Sequence, residues 1–255
     1  MTAGARGPAA IGGASSGIGE ATAVALAAAG HPVVLGARRI DRCEEVAARI
    51  RDEGGRAHAL PLDVTDPDSA AAFAKGAGEA FGPVEVLVVS AGDVQPAGAL
   101  DADAFAAQVD LHLVGVHRVV SLLVPPMVER RRGDVVFLSS DSVRLPRPRL
   151  AGYVAAKWAI EGLARVVQME LEGTGVRASI VRPGPTLTGM GRDWSPELLD
   201  DLFTEWRSWG FHRHDGYLAP EGVAAAVVAV VTAPRGTHLT LVEVEPEAPL
   251  SKGDG

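Results

Sequence analysis

The chain has a single cysteine, Cys43, in 255 residues, so no disulfide can form within it. No apolar run comes near the roughly 18 residues that a membrane-crossing helix requires. Met1 to Pro8 lacks the apolar core of a secretory signal. A soluble, cytoplasmic protein without a membrane span is the expectation. A basic excess is missing too: 24 Lys and Arg stand against 32 Asp and Glu, a formal net charge of −8. Neither nucleic acid nor an anionic membrane is therefore expected as a partner. The short run Arg130, Arg131, Arg132 falls where a helix should end, a place its dipole favours for cations. His212 and His214 are two apart, so a helix would point them to opposite sides, and no Cys or carboxylate pattern completes a ligand set. No metal is expected. Aromatic residues make up only 5%, and three of the four tryptophans, Trp194, Trp206 and Trp209, crowd into one segment.

What is present is an ordinary globular composition, 47% hydrophobic and 22% charged. Apolar runs rich in Val, Ile and Leu recur at 9–11, 32–36, 57–62, 84–90, 134–140, 176–183 and 238–244, with helix-like segments between them. Continuous apolar character fits strands buried on both faces, and the intervening helices fit parallel crossovers. The prediction is α/β: one doubly wound, three-layer Rossmann-type domain over 1–255, with a mostly parallel sheet of about seven strands. No repeat or domain boundary is visible, and 246–255 reads as a frayed tail.

Ligands of such a sheet bind beyond the carboxyl ends of its strands. There, Gly13, Gly17 and Gly19 follow the first run and lead into an Ala-rich helix. Glycines at this spacing let the backbone turn tightly and approach a pyrophosphate, which the free N–H groups of the helix start then meet. An NAD site normally places an acid about 20 residues further on. Here Ala37 takes that place and Arg38 and Arg39 follow. Guanidinium forks match phosphate oxygens, so NADP(H) is favoured over NAD(H). The alternative is that both arginines merely pair with Asp41 or Glu45.

Tyr153 and Lys157, in YVAAK, lie four residues apart and share one helix face. With the glycine turn, LDV at 62–64, Ala91-Gly92, Ser140 and PGPTLT at 183–188, the chain resembles the short-chain dehydrogenase/reductase family over nearly its whole length. That resemblance implies a nicotinamide cofactor, interconversion of a carbonyl and a secondary alcohol, and homodimers or homotetramers. It implies that Gly13, Ser15, Ser16, Gly17, Ile18 and Gly19 hold the cofactor phosphates. Asp63 and Val64 would form the adenine pocket, Ala91 and Gly92 the ribose wall, and Pro183, Gly184, Thr186 and Thr188 the nicotinamide loop. Lys157 would also hold the nicotinamide ribose. The chemistry agrees. An alkoxide left by hydride transfer needs a positioned acid, the role expected of Tyr153. Lowering a phenol from about 10 to about 7 takes roughly 4 kcal/mol, which an ammonium about 4 Å away supplies at an effective dielectric of about 20. Ser140, at a strand end, can donate to the carbonyl oxygen.

Some positions depart from the family pattern. Gly12 stands where Thr is common, Val89-Ser90 precede Ala91-Gly92, and His112 replaces an Asn whose main-chain carbonyl serves a proton relay. His112 either keeps the relay through its main chain or imidazole, or simply packs inside a helix. These departures leave open a non-catalytic NADPH sensor or oligomeric regulator, and an enzyme of the same fold that dehydrates or epimerises. Over about 188–218, the positions Leu198, Leu199, Leu202, Phe203, Trp206 and Trp209 follow helical spacing behind the cap signal Ser195-Pro196. This stripe either covers a bulky or apolar substrate or packs on the sheet or a partner subunit. Arg144, Arg147 and Arg149 are expected as solvated loop residues, with attraction of a carboxylate or thioester carrier as the alternative. Surplus apolar residues on the helices near 101–130 and from Ala151 fit helix-to-helix self-association.

Overall fold

The computed structural model describes residues 6–249 apart from 190, 192, 193, 212, 213 and 215. His212 and the end of the tail lie outside the described residues. In chain order the elements are β1 (Ala9–Gly12), α1 (Gly17–Ala28), β2 (Val33–Ala37), α2 (Ile40–Asp52), β3 (Ala57–Pro61), α3 (Pro67–Phe81), β4 (Val86–Val89) and α4 (Ala102–Val109). A π-helical turn (Asp110–Val114) then leads into α5 (Gly115–Glu129), followed by β5 (Gly133–Leu138), a short 3-10 turn (Asp141–Val143) and α6 (Ala151–Glu170). The chain ends with β6 (Val176–Pro183), α7 (Pro196–Ser208), α8 (Pro220–Thr232) and β7 (Leu241–Val244). All seven predicted runs form strands, in one parallel sheet ordered β3-β2-β1-β4-β5-β6-β7.

The sheet separates two cores, which is why its central strands carry no polar alternation. Ala10, Val34, Leu87, Val135 and Ile180 face α3, α5 and α6. Their neighbours Ile11, Leu35, Val88, Val136 and Val181 face α1, α2 and α8. Successive side chains of a strand point to opposite faces, so both cores are built from the same apolar runs. The last run shortens to four residues. At 238–240 it meets β6 through a His238 contact with the Ala178 carbonyl and through the Thr240 carbonyl, before the ladder begins.

One expectation is corrected. The helix expected over 101–130 is split by the π turn, in which the Gly115 N–H reaches back five residues to the Asp110 carbonyl. Taken together, Ala102–Glu129 is long and apolar enough to cross a membrane by length and composition alone. Its apolar character has a structural use: Val116, Val119, Val120, Leu123, Val124 and Met127 are buried in the core beneath the sheet.

Candidate active site

The glycine turn between β1 and α1 is built by close backbone approach. Gly13 has φ +81°, and a Cβ there would lie 2.5 Å from the Ala91 nitrogen; one on Gly19 would lie 2.2 Å from the Gly13 carbonyl oxygen. Only glycine fits either position without moving main chain. The turn opens on a cavity of about 700 Å³ lined by Gly13, Ser15, Ser16, Gly17 and Ile18, by Arg38 and Arg39, by Asp63 and Val64, by Ala91 and Gly92, and by Thr188. Arg39 does not pair with Asp41 or Glu45. Its guanidinium donates to Ser15 Oγ at 3.1 Å and Ser16 Oγ at 2.8 Å, while Glu45 is taken by Arg42. The Asp63 carboxylate accepts from the hydroxyl and N–H of Thr65; these bonds, the hydroxyl first, hold it below the usual carboxylate range. Pro183, Gly184 and Thr186 do not border this cavity. Gly184 is tied to β7 through the Val244 carbonyl at 2.7 Å, and the Thr186 hydroxyl folds onto the Gly184 carbonyl at 2.8 Å. At Gly12 and Ser90 the strands are braced by main chain, the Ser90 N–H donating to the Gly12 carbonyl at 2.8 Å.

At the carboxyl end of β5, buried Ser140 comes close enough to Tyr153 on α6 to act on its phenol, while its hydroxyl donates to Asp141 Oδ1 at 3.2 Å. Lys157, one turn on, is buried, donates from Nζ to the Leu138 carbonyl at 2.9 Å, and lies 5.6 Å from the Tyr153 ring centre. Burial alone depresses its ammonium to about 8. The phenol is shifted upward, first by burial and then by Asp141; Ser140 and the Arg147 guanidinium pull it down. An ammonium on this side of the ring favours the tyrosinate, against the burial that disfavours it.

His112 closes the other side, its ring edge-on to Tyr153 with centres 5.0 Å apart. Burial first, then Lys157, lowers its pKa to about 3, so it is neutral at pH 7. Its Nε2 lies 2.9 Å from the Asp93 carbonyl, which can only accept, so Nε2 carries the hydrogen and Nδ1 is left as a buried acceptor without a hydrogen-bond partner. A side chain at Gly92 would strike this imidazole at 2.5 Å. The π turn thus packs an imidazole between Tyr153 and Gly92, which lines the cavity. π turns recur at functional sites.

The three loop arginines separate. Arg144 pairs with Glu243 at the surface and Arg149 is half-buried with φ 65°. Arg147, expected as solvated, is buried instead and holds Asp141 bidentately, Nη1 to Oδ1 at 3.0 Å with a second bond from Nη2 to Oδ2. Asp141 and the pair Glu161–Arg182, in which Arg182 bonds both Glu161 oxygens behind Lys157, escaped the sequence reading. An acid directly after Ser140 was the available signal for the first. The lid stripe packs in part: Leu202 is fully buried and the Trp206 indole donates to the Pro148 carbonyl at 3.1 Å, whereas Trp209 is 64% exposed.

A family model described as short chain dehydrogenase matches residues 8–198. The chain belongs to the short-chain dehydrogenase family. This short-chain dehydrogenase is 32% identical over 237 residues to the glycine betaine reductase ATRR of Emericella nidulans, covering 92% of this chain but only 18% of that protein. It is 30% identical over 240 residues to an uncharacterized oxidoreductase of Listeria innocua, covering 92% of this chain and 94% of the other. Among solved structures, an alcohol dehydrogenase from the archaeon Thermococcus sibiricus complexed with 5-hydroxy-NADP superposes with a TM-score of 0.79 at 29% identity, covering 96% of this chain and all of that one. The dehydrogenase is an oxidoreductase of this family, with a fold that accommodates a nicotinamide cofactor.

Proposed function

We propose that this dehydrogenase transfers a hydride between NADP(H) and a carbonyl or secondary alcohol, with the whole chain serving as one dinucleotide-binding and catalytic unit. The observation that carries this reading is Tyr153 set between Ser140, the buried Lys157 and His112, whose imidazole packs against Gly92 of the glycine-built cavity. The cofactor supplies the hydride. Gly13, Gly17 and Gly19 with the α1 N-terminus receive its diphosphate, a polar cradle suited to anions. Arg39, already bridging Ser15 and Ser16, and Arg38 on the rim receive the adenosine phosphate that separates NADP(H) from NAD(H). Asp63 and Val64 flank the adenine, Ala91 and Gly92 the ribose, and Thr188 shapes the nicotinamide end, with Pro183, Gly184 and Thr186 bracing its loop from behind. The Thermococcus relative's NADP derivative supports the same preference.

On the substrate side, Ser140 Oγ donates to the carbonyl oxygen while Tyr153 Oη gives it a proton, so the charge developing there is met by two donors. Lys157 draws the proton balance toward tyrosinate and reaches the ribose. Segment 188–218, carried by α7, covers the bound substrate and gives it an aromatic wall. The exposed apolar residues Trp158, Val166 and Met169 on α6, with Leu122 on α5, support assembly into a homodimer or homotetramer. The test is NADPH consumption against a panel of aldehydes and ketones. Turnover with at least one ketone, faster with NADPH than with NADH, is expected; tight NADPH binding with no consumption by any compound would make the protein a sensor instead.

A further inference from the structure

Beside the acid sit two charges that the hydride chemistry does not require. Asp141, in the 3-10 turn after β5, and Arg147, in the loop before α6, form a pair whose side chains are 7% and 12% exposed. The Ser140 hydroxyl donates to Asp141 Oδ1 at 3.2 Å, and the guanidinium lies 5.8 Å from the Trp206 ring of α7. Hydroxyl, carboxylate and guanidinium therefore form one connected string beside the phenol. Left alone, Asp141 would work against the reaction twice. A buried carboxylate takes the hydroxyl proton that the carbonyl oxygen needs, and its charge opposes the neighbouring tyrosinate. A bidentate guanidinium meets both carboxylate oxygens at once, as an ammonium cannot.

Building on the hydride-transfer reading, we propose that Arg147 is a positioning residue: by holding both oxygens of Asp141 it offsets the carboxylate charge that opposes a tyrosinate at Tyr153, and it competes for the Oδ1 on which the Ser140 hydroxyl rests at 3.2 Å. The groups facing Tyr153 are accounted for element by element. Lys157 comes from α6, neutral His112 from the π turn, Ser140 and Asp141 from the end of β5, and Arg147 from the loop. Glu245, beyond β7, acts on Arg147 itself.

The sequence allows a direct readout. It contains two tyrosines, and Tyr217 is 39% exposed, so Tyr217→Phe leaves Tyr153 as the lone tyrosinate chromophore. Ultraviolet titration in that background compares the parent with Arg147→Gln, Asp141→Asn and the double variant. Arg147→Gln is expected to move the Tyr153 midpoint up by about one pH unit, as loss of a neighbouring opposite charge does. Asp141→Asn should move it down, and the double variant should return close to the parent, the coupling of a double-mutant cycle. With NADP+ and a secondary alcohol oxidised by the parent, where Tyr153 must act as tyrosinate, Arg147→Gln should lower kcat about tenfold at neutral pH, its pH profile following the same shift, with the NADP+ KM unchanged. An unchanged or lowered midpoint in Arg147→Gln, or a double variant keeping the full upward shift, overturns the proposal. If Arg147→Gln does not fold, a midpoint that fails to fall in Asp141→Asn overturns it equally. Failure of the hydride reading looks different: the parent consumes no NADPH, while the titration still judges Arg147.

Discussion

The glycine-built cavity and the cluster around Tyr153, the proposed cofactor and substrate halves of the site, are built by different means. From β1 to the end of β3 the cavity is made of main chain: glycines that admit no Cβ, the free N–H groups of α1, and an arginine laid over two serines. The cluster around Tyr153 is made of side chains: a buried lysine, a neutral imidazole, and a carboxylate held by a guanidinium. Backbone geometry tolerates no substitution but is indifferent to pH. Side-chain electrostatics tolerates exchange but depends on every nearby charge. The difference teaches where each half is vulnerable.

The largest way to break the comparison is Gly19→Ala. Its Cβ would lie 2.2 Å from the Gly13 carbonyl oxygen, so main chain must move, and overpacking of this kind costs about 1–3 kcal/mol. NADPH affinity, followed by fluorescence titration, should fall about a hundredfold, while the Tyr153 titration stays in place. A smaller effect belongs to His112. Its folded-state value of about 3 lies below the ordinary 6.5, so the unfolded chain takes the proton first, and stability drains away as pH falls from 6.5 toward 3. The slope in that window is about 1.4 kcal/mol per pH unit. Between pH 7 and 5, urea unfolding should show the parent losing about 2 kcal/mol more than His112→Asn. Arg39→Ala sharpens the cofactor side most gently. Loss of a charge-assisted phosphate contact should weaken NADPH about tenfold and leave NADH unchanged, and equal weakening of both would place Arg39 outside the phosphate site.

The backbone half was legible in the sequence because spacing alone encodes it. Gly13, Gly17 and Gly19 after an apolar run, with Arg38 and Arg39 where an acid normally stands, carry their geometry in their order. The seven strands were legible for the same reason, since burial on both faces leaves continuous apolar runs. Arg147 was not. Three arginines in one loop look alike until the fold buries one of them against Asp141 and Trp206 and leaves Arg144 at the surface with Glu243. The π turn at Asp110–Val114 was hidden too, because its residues fit an ordinary helix by composition. Four-residue spacing correctly put Tyr153 and Lys157 on one face. It could not show that burial would lift the phenol and commit the ammonium to the Leu138 carbonyl.

The central claim is that the Tyr153 phenol passes its proton to the reacting oxygen. Single-turnover NADPH oxidation by Tyr153→Phe, with a ketone the parent reduces, tests it most directly. A rate loss of about a thousandfold, within the range for removing a general acid, is expected together with unchanged NADPH binding. A phenylalanine variant that consumes NADPH as fast as the parent would contradict it.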